Sequence, residues 1–276
     1  MNWIITLAIL VIVGFILDRE IYFYEGTHLG PRVQAWLYDR WSKKYDEGKR
    51  ESQLRDNEML AQPLLNSLQK VKEPFVLDFA TGTGRLSFAL MNRREFKGRI
   101  VALDLSQGML EQAASKLSRY LERVELVQHQ SLPLPFPDAA FDAVCALEVL
   151  ELFPNMDDPL AEFARMLRPG GVFLTSRGTE QSGRKAKVKS KSDFGLLLKK
   201  HGFENFQIAP WWKLFDRVIA LKNGSSNPVV ARNLSDMMRC PECGQTQWKK
   251  DTDALKCGNC GKELSVTKEG IVRSKV

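Results

Sequence analysis

The sequence has few cysteines and lacks the pattern of a cleaved signal peptide. Five cysteines occur in 276 residues, and four of them form two Cys-x-x-Cys pairs near the C-terminus. This spacing argues against a disulfide scaffold and favours a metal site in a reducing compartment. The N-terminus has neither the basic residues nor the small-x-small motif of a signal peptide. We therefore expect the N-terminal segment to be retained.

Strong charge is also absent. The formal net charge is +7, which permits contact with RNA or anionic lipid but establishes neither. No aromatic-rich basic patch accompanies this charge, so the composition gives nucleic-acid binding little support. A hydrophobic content of 44% over 276 residues suits one full α/β domain with a small second one.

The N-terminal segment is apolar. Residues 3–17 carry no charge, although a bilayer-spanning helix usually needs about 17 to 25 residues. An aromatic cluster at residues 21–24 suits a bilayer interface, and the positive charges that follow it suit the cytoplasmic side. These features predict a hydrophobic helix and membrane anchor over residues 1–24, with the rest of the chain in the cytoplasm. The alternative is an N-terminal helix buried in the core.

The most informative stretch is residues 76–84, with the sequence VLDFATGTG. An apolar strand is followed by a glycine turn and then by apolar residues at helical spacing. The free backbone N–H groups and the helix dipole at such a turn favour an anionic group. Asp104 ends a second apolar strand, where its carboxylate can accept both hydroxyls of a ribose. The pattern predicts a nucleotide-type ligand at the ends of two parallel strands.

Several segments in order carry a resemblance to a known family. They are VLDFATGTGRLS, VALDLSQGMLEQA, LPFPDAAFDAV and MLRPGGVFLTS, and LYDRWSKKYDEG precedes them. They resemble the successive motifs of class I S-adenosylmethionine (SAM)-dependent methyltransferases, in the type 11 branch that contains ubiquinone- and menaquinone-biosynthesis enzymes. The resemblance implies an α/β fold with a Rossmann-like seven-stranded sheet over residues 25–222, in which residues 30–70 form a helical lid.

The resemblance also implies a set of cofactor-binding residues. The methionine end of SAM would lie against the glycine turn, and Tyr38 and Tyr45 would cover the cofactor; half-buried helix aromatics are the alternative for both tyrosines. Ala80 stands where the family usually has glycine, so we expect a negative φ there. The full implied set is Asp78, Ala80, Gly82, Gly84, Asp104, Leu105, Met109, Gln130, Ser131 and Tyr45.

The acceptor side is less defined. Glu148 and Glu151 follow the strand that ends nearest the methyl group, so each is a weak candidate for a general base. A solvated glutamate at a helix start is the alternative for either residue. The arginine-asparagine signature of quinone-pathway enzymes is absent from TSRGTEQSGRK, which argues against a quinone specifically. We therefore expect a small hydrophobic or lipid-like acceptor at the membrane.

The C-terminal cysteines form a candidate metal site. Residues 223–238 are interpreted as a linker because NGSSNP is typical of turns. The spacing of Cys240, Cys243, Cys257 and Cys260 is that of a structural zinc site, and residues 239–276 resemble the zinc ribbons attached to, or partnering, some methyltransferases. Four thiolates leave no open metal position for catalysis. Two redox-active dithiols are the alternative.

Two further functions stay open. An RNA or protein methyltransferase would hold its substrate with the zinc ribbon and the basic residues 184–191. A non-catalytic SAM-binding scaffold would use the ribbon to dock a protein partner.

Overall fold

The computed structural model describes residues 2–182 and 188–275, so the basic stretch predicted at 184–191 lies partly outside the described residues. The helices are α1 (Asn2–Asp18), α2 (Pro31–Gln53), α3 (Gln62–Ser67), α4 (Arg85–Met91), α5 (Gln107–Lys116), α6 (Asp157–Met166), α7 (Lys191–Lys200) and α8 (Leu234–Met237). The strands are β1 (Phe75–Phe79), β2 (Arg99–Asp104), β3 (Val124–His129), β4 (Phe141–Ala146), β5 (Leu167–Gly178), β6 (Phe203–Trp212), β7 (Phe215–Lys222), β8 (Trp248–Lys250), β9 (Ala254–Cys257), β10 (Glu263–Ser265) and β11 (Ile271–Lys275).

An eight-stranded sheet forms the centre of the fold, in the order β11-β3-β2-β1-β4-β5-β7-β6. All of β1 is buried, as expected for a parallel strand whose two faces are covered. The pairs from β11 to β5 are parallel, and β7 runs antiparallel to β5 and β6. The predicted Rossmann-like α/β fold is confirmed. The carboxyl ends of β1 to β4 meet at one edge, where sheets of this kind bind ligands.

The seven strands predicted within residues 25–222 are confirmed as β1 to β7, and the C-terminal segment (residues 239–275) adds an eighth strand that was not predicted. In this segment β11 lies parallel to β3, with Ile271 opposite Leu126 and Val272 opposite Val127. Val272 and Val127 belong to one buried apolar cluster, so side-chain packing accompanies the pairing. β8, β9 and β10 form a separate antiparallel sheet. The C-terminal segment therefore packs against the central sheet of its own chain.

The N-terminal helix exposes its apolar side chains. In α1 the large side chains from Trp3 to Leu17 are 44–70% exposed, so the alternative of a helix buried in the core is wrong. The helix has 17 residues and ends at Asp18, where charged residues interrupt the apolar run. Across residues 2–182 and 188–275, no helix has both the length and the apolar character needed to cross a membrane. The predicted spanning helix is not confirmed.

Candidate cofactor and acceptor site

The loop after β1 adopts a backbone that is favourable for glycine. The φ angle is +55° at Gly82 and +76° at Gly84. A Cβ on Gly82 would meet only Tyr45 Cε1, at 4.0 Å, so this side of the loop faces open space. A Cβ on Gly84 would come within 3.2 Å of the Cβ of Ala113, so Gly84 permits the close packing of α4 against α5. The two glycines therefore have different roles.

The expectation of a negative φ at Ala80 is wrong, because its φ is +53°. In this left-handed region the Cβ of an L-residue crowds the following carbonyl, which costs about 1–2 kcal/mol. Such strain persists where the surrounding structure fixes the backbone. Here the N–H of Thr81 donates to the carbonyl of Leu103 at 3.0 Å, which ties the loop to the end of β2.

Asp104 makes a second connection between the loop and β2. Its Oδ2 accepts a hydrogen bond from the N–H of Gly82 at 2.8 Å, and its Oδ1 accepts one from the N–H of Ser106 at 2.9 Å. The side chain is buried. Removal from water raises the pKa of Asp104 to about 6, although these backbone hydrogen bonds act in the opposite direction. A carboxylate held this way can accept further hydrogen bonds from a polar ligand.

A cavity of about 400 Å³ opens at this edge of the sheet, a size that suits a small molecule. The implied cofactor residues that line it are Ala80, Gly82, Asp104, Leu105, Gln130, Ser131 and Tyr45, together with Tyr38. The cavity is also lined by a set of apolar residues, Leu132, Leu134, Leu147, Val149, Leu152 and Phe153. The lining therefore combines polar groups with apolar side chains.

Three members of the implied set lie outside this lining, and their contacts indicate supporting roles. Asp78 is buried and accepts hydrogen bonds from the hydroxyls of Thr81 at 2.7 Å and Ser87 at 2.6 Å, which brace the loop. Met109 is fully buried, and Gly84 packs between helices as described above. These residues stabilise the glycine loop and the packing of α5 without lining the cavity themselves.

The predicted lid corresponds to α2, which is fixed over the cavity by polar contacts. Asp39 accepts from the hydroxyl of Ser106 at 2.5 Å and from the N–H of Gly108 at 2.8 Å. Two turns further along α2, the carboxylate of Asp46 accepts a hydrogen bond from the hydroxyl of Thr83 at 2.5 Å and pairs with Lys116 Nζ at 2.6 Å. These contacts fasten both the glycine loop and α5 to the helix that carries Tyr38 and Tyr45.

Glu148, one of the two general-base candidates, forms ion pairs with two cations. Its Oε2 lies 2.6 Å from Lys49 Nζ, and its Oε1 lies 2.9 Å from Arg85 Nη1. Both carboxylate oxygens of Glu148 are therefore already engaged in ion pairs. Its side chain is only 11% exposed, so the alternative of a solvated glutamate is wrong. Glu148 therefore connects Lys49 of α2, the predicted lid, to Arg85 at the start of α4. The backbone φ of Glu148 is +53°.

A second cavity of about 180 Å³ lies beside the first. Tyr38, Tyr45 and Glu148 line both cavities and form the wall between them. Glu25 and Glu151 line only the second cavity. Because Glu151 is only 5% exposed, the alternative of a solvated helix-start residue is wrong for it as well.

His129 also lines the first cavity, and sequence reasoning did not identify it. It is buried at the end of β3, and its Nδ1 lies 2.6 Å from the hydroxyl of Ser274 on β11. The carboxyl ends of parallel strands favour ligand contact. His129 ends β3 and directly precedes the predicted site residues Gln130 and Ser131, and this position could have identified it as a cavity residue.

The four C-terminal cysteines converge. The Sγ atoms of Cys240, Cys243, Cys257 and Cys260 lie within 4.8 Å of one another. The closest pairs are Cys240–Cys260 at 3.7 Å and Cys243–Cys257 at 3.6 Å. A tetrahedron with Zn–S bonds of about 2.3 Å has edges of about 3.8 Å. The cluster therefore has the dimensions of a tetrahedral thiolate site.

Comparisons with known proteins agree with this geometry. Residues 76–171 match the family model described as a methyltransferase domain. Demethylmenaquinone methyltransferase of Staphylococcus epidermidis is 29% identical over 138 residues, which cover 50% of this chain and 57% of the relative. The ubiquinone/menaquinone biosynthesis C-methyltransferase UbiE of Hahella chejuensis is 37% identical over 101 residues, which cover 36% of this chain and 41% of the relative. The matches thus span about half the length of these curated relatives.

Solved structures show the same fold. A SAM-dependent methyltransferase from Aquifex aeolicus superposes with a TM-score of 0.54 at 22% identity, covering 67% of this chain and 98% of that one. The family-model match, residues 76–171, contains the glycine loop, Asp104 and strands that meet at the cavity. These residues therefore match a methyltransferase domain, and the surrounding fold is the one that the Aquifex aeolicus structure shows.

Proposed function

We propose that this protein transfers a methyl group from SAM to a small hydrophobic acceptor. The observation that carries the proposal is the mixed lining of the 400 Å³ cavity, in which Gly82 and Asp104 occur together with apolar residues such as Leu132 and Phe153. Bound SAM supplies a methyl group that its sulfonium activates. The protein therefore needs mainly to hold donor and acceptor in line, which lowers the entropic barrier.

The polar groups of the cavity lining fit the donor. Open space beside Gly82 leaves room for the methionine end close to the backbone. Asp104 has lone pairs beyond those used by Gly82 and Ser106, so it would hold the ribose hydroxyls. Gln130 donates through Nε2 to the carbonyl of Leu105 at 3.3 Å, which leaves its own carbonyl oxygen to accept from the adenine amino group.

The apolar residues of the cavity lining and α1 together support a hydrophobic acceptor. Thr27, Gly30 and Pro31 line the cavity and follow closely after α1, whose apolar side chains are exposed. We infer that α1 docks the protein on a bilayer from the cytoplasmic side. Attachment of this kind raises the effective concentration of an enzyme at membrane-dissolved molecules.

The C-terminal segment is proposed to be a zinc ribbon. The spacing of its four Sγ atoms supports tetrahedral zinc, and four thiolate ligands suit a structural site rather than a catalytic one. The proposed role is to stabilise the small β8–β10 sheet, and through β11 the edge of the central sheet.

Transfer of a methyl label tests the function. Purified protein would be incubated with methyl-tritiated SAM and a total extract of the source cells, and the label would be separated into organic-soluble, RNA and protein fractions. Asp104→Ala is the test variant, and Asp253→Ala, which removes an exposed carboxylate in the C-terminal segment, is the matched control.

We expect label in the organic-soluble fraction with the unaltered protein and with Asp253→Ala, and its loss with Asp104→Ala. Mass spectrometry of the labelled product would then show whether the acceptor is a quinone, as the names of the relatives suggest, or another lipid. Label in RNA or protein would contradict the proposal. SAM binding without any transfer would favour a scaffold.

A further inference from the structure

Methyl transfer to an atom that carries hydrogen requires a proton acceptor, and the structure indicates one outside the two glutamates considered so far. Glu148 holds Lys49 and Arg85 on its two oxygens. Glu151 lines only the second cavity and not the one that contains Gly82 and Asp104. Neither residue therefore combines a place in the lining of the methyl-transfer cavity with a carboxylate oxygen that is not already in an ion pair.

Tyr38 connects the two cavities. It lines the first cavity with Gly82 and Asp104, and the second cavity with Glu25. Its hydroxyl donates a hydrogen bond to Glu25 Oε2 at 2.5 Å. An acceptor in the first cavity can therefore reach Tyr38, and the Tyr38 hydroxyl already donates its proton in a hydrogen bond to the carboxylate of Glu25, which lines the second cavity.

The position of Tyr38 is fixed by aromatic packing. Its ring lies edge-on to Trp41 with centroids 5.5 Å apart, and 6.2 Å from the ring of Tyr45. Burial, and next the charge of Glu25, raise the pKa of Tyr38 well above its ordinary value. Tyr38 therefore stays protonated at neutral pH. It can pass a proton on but does not act alone as a phenolate base.

The position of Glu25 is fixed by its backbone. Its φ is +54°, and Gly26 follows with a φ of +71°. A Cβ on Gly26 would lie 2.8 Å from Leu37 Cδ1, so this turn is pressed closely against α2. A non-glycine residue in the left-handed region costs free energy and persists only where the surroundings hold it. The turn holds the Glu25 carboxylate against the hydroxyl of Tyr38.

We propose that Tyr38 and Glu25 form a proton relay for an acceptor whose nucleophilic atom carries hydrogen, such as a phenol, an enol or an acidic carbon. This inference rests on the proposed methyl transfer and narrows its substrate class. Tyr38 is the proposed catalytic residue, since it lines the cavity that would hold the acceptor. Glu25 acts through Tyr38.

The relay balances atoms and charge. The acceptor atom bonds to the methyl carbon while the carbon–sulfur bond of the sulfonium breaks and its electron pair stays on sulfur. The acceptor's proton moves to the Tyr38 hydroxyl, and the proton of Tyr38 moves to Glu25 Oε2. The positive charge of the donor and the negative charge of Glu25 are both lost. Glu25 then releases its proton to water in the second cavity.

Two conservative substitutions interrupt the relay without emptying the site. Tyr38→Phe keeps the ring and removes the hydroxyl. Glu25→Gln keeps an acceptor for the Tyr38 hydrogen bond but takes no proton. The matched controls are Tyr120→Phe, which removes a hydroxyl bonded to Asn92 at 2.9 Å, and Glu58→Gln on the exposed surface. The readouts are the rate of label transfer from methyl-tritiated SAM into the organic-soluble fraction and the SAM dissociation constant from calorimetry.

We expect Tyr38→Phe and Glu25→Gln each to lower the transfer rate about 100-fold, the range that a positioned proton acceptor contributes. The double variant should lose no more than either single variant, since the two residues act as one unit. SAM affinity should change less than about threefold, and both controls should retain the full rate.

Chemical rescue separates proton transfer from a structural role. Glu25→Gly suits the φ of +54° and enlarges the second cavity, so added formate should restore a large part of the lost rate. Formate should not restore Tyr38→Phe. Loss of rate in proportion to loss of SAM affinity, or less than about threefold loss in Tyr38→Phe and Glu25→Gln, would overturn the relay while methyl transfer by the unaltered protein still stood. Absence of transfer by the unaltered protein would overturn both.

Discussion

The hydroxyl of Ser274 lies 2.6 Å from Nδ1 of His129. Ser274 belongs to β11 at the end of the cysteine-containing segment, whereas His129 lines the cavity proposed for SAM. Arg273, its neighbour, also hydrogen-bonds Gln107 at the start of α5. The C-terminal segment therefore contacts two elements that shape the candidate site.

Ser274→Ala should weaken both stability and SAM binding. Loss of one buried hydrogen bond costs about 1 kcal/mol, and His129 would be less firmly held in the cavity wall. We expect a lower free energy of unfolding in urea and a several-fold higher SAM dissociation constant by calorimetry. Ser265→Ala, at an exposed position in β10, is the control. Equal unfolding free energies and equal SAM dissociation constants for the two variants would contradict a stabilising role of the contact between Ser274 and His129.

Removal of the proposed zinc should destabilise the central sheet as well as the C-terminal segment. Metal binding free energy contributes to folding where the ligands come together only in the folded state, and β11 extends this effect to β3. A strong chelator should lower the melting temperature by several degrees, and readdition of zinc should restore it. Cys257→Ser should start from the lower melting temperature and show no further decrease with chelator. An unchanged melting temperature in the unaltered protein would contradict a structural metal.

Ala80→Gly should stabilise the protein. Glycine adopts the φ of +53° found at Ala80 without the steric cost of a Cβ, and part of that gain is offset by the greater freedom of glycine in the unfolded chain. We expect a gain of about 0.5–1 kcal/mol in urea unfolding. Ala139→Gly, at a φ of +51°, should behave likewise. Ala161→Gly, inside α6, should instead cost about 1 kcal/mol. A loss of stability in Ala80→Gly would show that the alanine is not strained.

The pKa of Asp104 predicts a pH dependence with opposite signs for stability and for binding. Its pKa of about 6 in the folded protein exceeds the value of about 3.9 in an unfolded chain. The folded state therefore favours the protonated form. This contribution to stability is fully present below about pH 4 and is lost as the pH rises through about 6, for a total of about 3 kcal/mol. SAM affinity should instead rise over the same range, because the ionised carboxylate is the better acceptor for ribose hydroxyls.

Asp104→Asn is the control for this prediction, since it has nearly the same shape and does not titrate. The difference in unfolding free energy between the unaltered protein and Asp104→Asn, measured in urea from pH 4 to pH 8, should follow the titration of one group. SAM binding by the variant should be weaker and should vary less with pH. Parallel pH profiles for the two proteins would rule out a raised pKa at Asp104.

The parts of the site that lie close together in sequence were predictable. The strand, the glycine turn and Asp104 form a local pattern with one physical interpretation, and the structure brings Gly82 and Asp104 to 2.8 Å. The conformation of Ala80 was not predictable from residue preference, because the following residues, Thr81 and Gly82, are hydrogen-bonded to the end of β2. Residue type alone also did not show that Asp78 and Met109 support the cavity from behind.

Contacts between distant segments could not be predicted from the sequence. Lys49 and Glu148 are 99 positions apart, and His129 and Ser274 are 145 apart. Each contact depends on how a helix or strand packs against the sheet, and no local pattern specifies this. The pairing of Tyr38 with Glu25 depends on a left-handed turn at a residue that is not glycine. The two ion pairs of Glu148 likewise join it to residues 63 and 99 positions away.

The number of methyl groups transferred per protein molecule into the organic-soluble fraction tests the central claim most directly. With methyl-tritiated SAM and a cell extract, the unaltered protein should transfer many methyl groups per molecule, and Asp104→Ala should transfer few or none. Recovery of the label only in RNA or protein, or equal transfer by both proteins, would contradict methylation of a small hydrophobic acceptor at this cavity.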